Sequence, residues 1–226
     1  SGFAEWIERA FVGIRNVMSD CDKLLSKNRI FIERMSGVGA LSAEDAVSYG
    51  VTGPLLRASG VAYDVRKANP YLFYDRMDFI VPTGTQGDNW DRFQVRFEEL
   101  RQSMSMVEQA LKQLPGGPIR VDDPNITMPE KKDVYGNIEG LMNHFKLVIE
   151  GVKIPKGEVY SVVEGANGEL GFYLVSDGSG RPYRVRVRPP CFFGMAALGQ
   201  MLQGHLISDV ITTFGMVNMI GGECDR

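Results

Sequence analysis

The chain has 226 residues, a formal net charge of −3 and 44% hydrophobic residues, so it can build a substantial core and carries no global field that would draw nucleic acid. No apolar run reaches the ~18–20 residues that a bilayer span needs, and even residues 192–222 are interrupted by Gln200, Gln203, His205 and Asp209. Cysteines 21, 191 and 224 are odd in number and far apart, and read as reduced thiols in a cytoplasm-like compartment.

Ile7, Ala10, Phe11, Ile14, Val17 and Met18 form one apolar stripe, which predicts an opening helix. Ser19 or Asp20 stands where it can cap a second short helix reaching Leu25. Ser42 followed by Asp45 resembles a capping box for a helix over 43–49 that Gly50 stops. Residues 60–82, with their prolines, aromatics and turn formers, predict irregular chain with one short strand near 79–81. Farther on, Trp90, Phe93, Phe97, Leu100, Met104, Val107, Leu111 and Leu114 alternate spacings of three and four until Pro115 and two glycines stop the pattern. Such a seam suits a coiled-coil dimer or a long helix in an antiparallel bundle within one subunit. The second reading is adopted here, and it leaves the chain alone a monomer with the seam buried.

A second long helix is marked by Ile138, Leu141, Met142, Phe145, Val148 and Ile149, with His144 beside the stripe as a structural imidazole. Turn clusters at 165–168 and 177–180 then separate extended runs at 159–164, 169–176 and 181–188, a β-meander. The last run alternates, with Arg184, Arg186 and Arg188 on one face and Tyr183, Val185 and Val187 on the other. Arginines ~7 Å apart on that face repel by ~0.6 kcal/mol in water and more where water is excluded. The basic face therefore meets water or carboxylates from elsewhere. Helices near 195–202, closed by Gly204, and near 206–214 complete the chain. The fold class is α+β, mainly helical, with a small antiparallel β-meander near residues 159–188. Residues 1–226 are read as a single domain or lobe.

The glycine clusters join strand to strand, whereas a phosphate cradle lies between a strand and a helix N-terminus, so neither NAD nor ATP is expected on this chain. No Cys-x-x-Cys pair occurs, and no metal ligand set is assigned. His205 and Asp209, one helical turn apart, suit either a proton-handling pair or a plain cap interaction.

Ordered motifs run nearly the length of the chain. They are N-R-I-F-I-E-R at 28–34, G-V-G-A-L-S-A-E-D-A at 37–46, L-R-A-S-G-V-A-Y-D-V-R-K at 56–67, P-Y-L-F-Y-D at 70–75 and G-D-N-W-D-R at 87–92. H-F-K at 144–146, G-E-L-G-F-Y-L-V-S-D-G-S-G-R-P-Y-R-V-R-V-R-P-P at 168–190 and E-C-D-R at 223–226 follow. Together they resemble the C-terminal half of the hydrogenase-like, D-type core subunit of NADH:quinone oxidoreductase, respiratory complex I.

The resemblance implies the fold of nickel–iron hydrogenase large subunits, with an N-terminal half outside these residues. It also implies a core subunit of a proton-pumping, bacterial membrane complex, peripheral on the cytoplasmic side of the inner membrane. Quinone would be the substrate of the complex, and a partner subunit would hold the terminal iron–sulfur cluster, with membrane subunits docked nearby. No cofactor is expected on this chain itself, since NADH is oxidised by another subunit. The tail, with Asn218, Ile220, Gly221 and Gly222, would form a wall of the quinone pocket. The family's quinone head-group ligands, a His and a Tyr, come from the other half, so no catalytic residue is assignable here. Asn218 stands where the family usually has aspartate, Cys191 where it has serine, and Phe193-Gly194-Met195 where a small residue, His and Leu are usual. A hydrogenase is disfavoured for want of paired cysteines, and a purely structural scaffold is the remaining alternative.

Overall fold

Capping chemistry sets many of the helix boundaries. In the computed structural model, which describes residues 2–225, α1 (Gly2–Cys21) continues into a π-helical turn at Asp22–Ser26. A separately capped second helix does not form there, because Ser19 and Asp20 lie inside α1, where Asp20 faces Lys23 at 3.7 Å. At the start of α2 (Arg29–Met35), Asn28 Oδ1 accepts from the Ile30 amide at 3.0 Å. Ser42 caps α3 (Ala43–Ser48) by accepting from the Asp45 amide at 3.0 Å, while its hydroxyl donates to Asp45 Oδ2 at 2.7 Å. Such a cap contributes about 1 kcal/mol.

Next come α4 (Pro54–Ala58), α5 (Val65–Ala68) and a 3₁₀ turn at Tyr74–Arg76. No strand forms near 79–81. The amides of Asp78 and Ile80 donate instead to Gln109 and Gln102 of α6 (Asn89–Gln113), at 2.9 and 3.2 Å. Donors that a neighbouring strand would use are thus already satisfied. After α6 come α7 (Lys131–Gly136) and α8 (Ile138–Ile149), and then β1 (Gly157–Gly165), β2 (Gly168–Ser176) and β3 (Arg184–Arg188). These form one antiparallel sheet in the order β1-β2-β3, the expected meander. β3 begins later than the alternation suggests, since Pro182 has no N–H to give to a ladder. α9 (Pro190–Met201) starts with Pro190, a residue already shaped for a first helical turn. α10 (Asp209–Val217) and α11 (Gly221–Cys224) end the described chain.

The chain divides into two compact units. The larger contains the chain up to Gln113, Val162–Leu170 and the chain from Arg188 onward. Its core joins Leu41, Ala46, Val51, Leu55, Leu56, Ala197, Met201 and Val217, and each fully buried Leu, Val or Met side chain contributes ~1.5–3 kcal/mol. α6 packs on α1, α2, α4 and α10. It buries Asn89, Arg92, Phe93, Val95, Met104 and Met106, while Leu100, Val107 and Leu114 reach the surface. Burial of the whole 90–114 seam is therefore corrected, because a straight helix of 3.6 residues per turn drifts away from a 3.5-residue repeat.

The smaller unit comprises Leu114–Ser161 and Gly171–Val187. It holds α7, α8 and most of the meander, and α7 packs against α8. The apolar stripe of α8 forms as expected but stays largely exposed, with only Gly140 of that helix buried.

Candidate functional site

Two features of the larger unit stand out: a buried charge cluster at α4 and a polar anchorage of the C-terminal tail. Arg57, in an otherwise apolar helical turn, is only 2% exposed. Its Nε donates to Glu99 Oε1 at 2.6 Å, and its Nη1 donates to Glu164 Oε1 at 2.8 Å and to the Tyr63 carbonyl at 3.0 Å. Asp64 lies 3.8 Å from Arg57 and takes a two-point contact from Arg66, at 2.9 and 2.6 Å. Burial alone would lower the Arg57 pKa, but Glu99 and Glu164 outweigh it and leave the guanidinium firmly charged. Burial pushes the Glu164 carboxyl above its usual range despite Arg57. For Asp64 burial is outweighed by Arg66, which holds that carboxyl low.

One turn along α6, Arg92 donates to Asn89 Oδ1 at 2.9 Å and to the Gly87 carbonyl at 2.7 Å. Its Nε and both Nη atoms of Arg96 are buried without a hydrogen-bond partner among the described residues. Burial, then the nearby Arg96 charge, draws the Arg92 pKa down to about 10.

The three arginines of the basic strand do not behave alike. Arg184 and Arg186 are exposed. Arg188, in the larger unit, is half-buried and donates to the carbonyls of Gly50 and Glu169, both at 2.6 Å, and to Thr52 Oγ1 at 3.1 Å. Its guanidinium also lies over the Phe193 ring, 4.6 Å from the centroid. Arg184 and Arg186 thus meet water, while Arg188, at the strand end, faces the Glu169 carboxylate at 3.7 Å and adds backbone acceptors to it.

Close backbone contact places the hairpin turn beside α4. A Cβ on Gly53 (φ 71°) would sit 2.3 Å from Gly168 Cα, so no other residue fits without displacing the hairpin. That contact sets Asn167, in the turn, against the tail. Asn167 Nδ2 donates to the Asn218 carbonyl at 3.1 Å and to Cys191 Sγ at 3.3 Å. Asn218 returns a bond from its own Nδ2 to Asn167 Oδ1 at 2.7 Å. The Ile220 amide donates to Cys191 Sγ at 3.4 Å, and the Cys191 amide to Glu223 Oε2 at 2.8 Å. Burial, then the Glu223 carboxylate beside the thiol, pushes the Cys191 thiol up to about 11, so it stays protonated at neutral pH. This arrangement fixes backbone in place. Among the described residues no group of three or more His, Cys, Asp and Glu side chains is placed to hold a metal ion.

His205 and Asp209 are engaged separately. His205 Nε2 accepts from the Gly39 amide at 3.3 Å. Buried Asp209 pairs with Arg34 and accepts from the Leu206 amide at 3.0 Å. Among the described hydrogen bonds none joins the two side chains, and Asp209, the first residue of α10, takes an amide from the turn ahead of the helix instead. In the tail the left-handed residue is Asn218 (φ 57°), and neither Gly221 nor Gly222 takes a positive φ. A Cβ on either glycine would meet no atom within 4 Å.

Arg57, Glu99, Glu164 and Asn167 were not singled out by sequence reasoning. A charged residue inside Pro54-Leu55-Leu56-Arg57-Ala58 was the available signal for the first of them.

Residues 1–226 match the profile of the family described as "Respiratory-chain NADH dehydrogenase, 49 Kd subunit". The chain is 58% identical over 219 residues to a D-type subunit of the NADH-quinone oxidoreductase of Sorangium cellulosum, covering 95% of this chain and 54% of that protein. The D-type subunit of Myxococcus xanthus is 54% identical over 93% of this chain and 51% of its own length. A C/D-type subunit of the NADH-quinone oxidoreductase of Bdellovibrio bacteriovorus is 51% identical over 98% of the chain and 40% of its own length. The chain thus spans about half the length of the D-type relatives it matches.

Proposed function

Because the chain belongs to the respiratory-chain NADH dehydrogenase 49 kDa subunit family, we propose that it is part of a core subunit of a proton-pumping NADH:quinone oxidoreductase and forms one wall of the quinone chamber. The observation that carries this reading is the family match across 1–226, joined by D-type relatives more than half identical to the chain. In this reading both compact units belong to the C-terminal lobe of a fold related to nickel–iron hydrogenase large subunits. A partner subunit holds the terminal iron–sulfur cluster, other subunits of the complex provide the membrane part, and this lobe lies peripherally on the cytoplasmic side. No described helix is long and apolar enough to cross a membrane. The head-group ligands and the NADH site lie outside these residues, and the lobe contributes shape.

The wall is assigned to Asn218, Ile220, Gly221 and Gly222. A flat quinone ring is held mainly by apolar burial, with few polar groups to orient it. The open space around both glycines supports this assignment, since neither is needed small by its packing or its φ in the larger unit. Gly221→Val in the intact complex tests it. Quinone reduction is expected to fall about tenfold, equivalent to ~1.4 kcal/mol, with altered sensitivity to quinone-site inhibitors. Electron delivery from NADH to an artificial acceptor upstream should persist. Normal quinone kinetics in assembled complex would remove the tail from the chamber and leave this lobe a scaffold.

A further inference from the structure

Three segments meet at the sulfur of Cys191. The thiol accepts from Asn167 Nδ2 in the hairpin turn and from the Ile220 amide in the tail, and it faces the Asn218 carbonyl as donor at 3.7 Å. Asn167 and Asn218 exchange two further bonds, at 3.1 and 2.7 Å. Cys191 and Asn167 are buried, so the bond between them is shielded from competing water, whereas Asn218 and Ile220 are exposed and their bonds to the pair are only part-buried. The bonds fall on the backbone of residues 218 and 220, at the left-handed residue where α10 ends and the tail changes direction. Beyond them Gly221 and Gly222 have no side chains to pack, and the next tie is Glu223 to the Cys191 amide at 2.8 Å. The course of the tail is therefore set from both ends by Cys191 and from one side by Asn167.

We propose that Asn167, Cys191 and Asn218 form a polar latch that positions the 220–222 wall, which makes them positioning residues for quinone reduction. This rests on the reading of the tail as a chamber wall. A thiol suits the centre because it both accepts and donates while remaining uncharged. A hydroxyl can do the same, whereas a methyl can do neither. Loss of the latch loosens the tail without touching NADH oxidation.

The test uses the full-length subunit in assembled complex, with Cys191→Ala, Cys191→Ser and Asn167→Asp. The aspartate keeps the size of Asn167 but removes both donated bonds and sets a carboxylate against the Asn218 carbonyl. It therefore serves where Cys191→Ala does not assemble. Amide hydrogen exchange at Ile220 should quicken by about tenfold or more in Cys191→Ala and Asn167→Asp. The KM for decylubiquinone should rise about three- to tenfold in the same variants, with the NADH–ferricyanide rate unchanged. Cys191→Ser should restore both readouts to near the wild-type values. Unchanged exchange at Ile220 in Cys191→Ala would overturn the latch. Faster exchange with unaltered quinone kinetics would reduce it to a stability element and likewise overturn the positioning role. If Gly221→Val impairs quinone reduction while the latch variants do not, the latch fails and the wall stands. If all of them leave quinone reduction unchanged, the wall itself fails.

Discussion

Around Arg57 the larger unit encloses a guanidinium among carboxylates, whereas the smaller unit leaves the apolar stripe of α8 at its surface. Arg57 is 2% exposed, against 54% for Phe145 and 79% for Ile138. Neither arrangement violates physical chemistry. A buried cation is tolerable when carboxylates and carbonyls meet its donors, as Glu99, Glu164 and Tyr63 do here. An apolar helix face stays uncovered when the unit that carries it is too short to wrap it. The contrast teaches that polarity constrains what a side chain must touch more strongly than how deep it lies.

The strongest way to break the contrast is Arg57→Met in the intact subunit. Methionine fills the space but strands Glu99 and Glu164 without their cation, and removing one member of a buried ion pair costs about 3–5 kcal/mol. Urea unfolding should show that loss, and a change under about 1 kcal/mol would mean that the cluster is not structural. Core truncation gives the next largest effect. Met201, 1% exposed, should cost about 2–5 kcal/mol on replacement by alanine. Phe145→Ala on α8 should cost about 1 kcal/mol or less in the same assay, because most of that ring already meets water. Equal losses at the two sites would show that α8 is covered in the intact subunit. Leu100, 43% exposed, belongs with the second group despite its place in the seam.

These comparisons also mark what could be read before the structure. Periodicity located α6 and α8, and glycine clusters located the meander, because both signals are local. Depth was not legible: Leu100 and Ile138 carry strong helical patterns and still face solvent. The strand near 79–81 failed for a nonlocal reason, since Gln102 and Gln109 of α6 take its amides. The Arg57 cluster joins residues 42 and 107 positions apart, and no spacing rule connects them. Cys191 and Asn218 lie 27 positions apart, and their shared partner Asn167 appears only once the hairpin folds against the tail.

The basic strand sharpens the contrast within one short element. Arg188→Met removes three hydrogen bonds from a charged donor, two of them to backbone carbonyls. A loss of ~1.5–3 kcal/mol is expected, the usual worth of hydrogen bonds to charged groups. Arg186→Met should stay within about 0.5 kcal/mol, as exposed substitutions do. A comparable loss at Arg186 in the assembled complex, absent from the isolated protein, would identify it as an interface residue.

The smallest effect is nil at neutral pH and appears only in alkali. Burial, then the Glu223 carboxylate beside the thiol, raises the Cys191 thiol from the 9.0 of an unperturbed group to about 11 in the folded chain. Between those values the unfolded chain has released the proton and the native chain keeps it. Unfolding therefore releases a proton, and rising pH favours it. The contribution is fully present below pH 9 and is lost progressively toward pH 11. Serine does not ionise in that range, so Cys191→Ser lacks the dependence. Tyr63, raised to about 12 by burial and then by Glu169, acts with the same sign but is common to both proteins and cancels in their difference. Urea midpoints measured at about pH 7, 8, 9 and 10 for both should run parallel until about pH 9, near the free-thiol range. Above it the wild type should fall faster. A difference that stays flat through the whole series would mean that the sulfur is open to water, and the latch would lose the enclosure on which its strength depends.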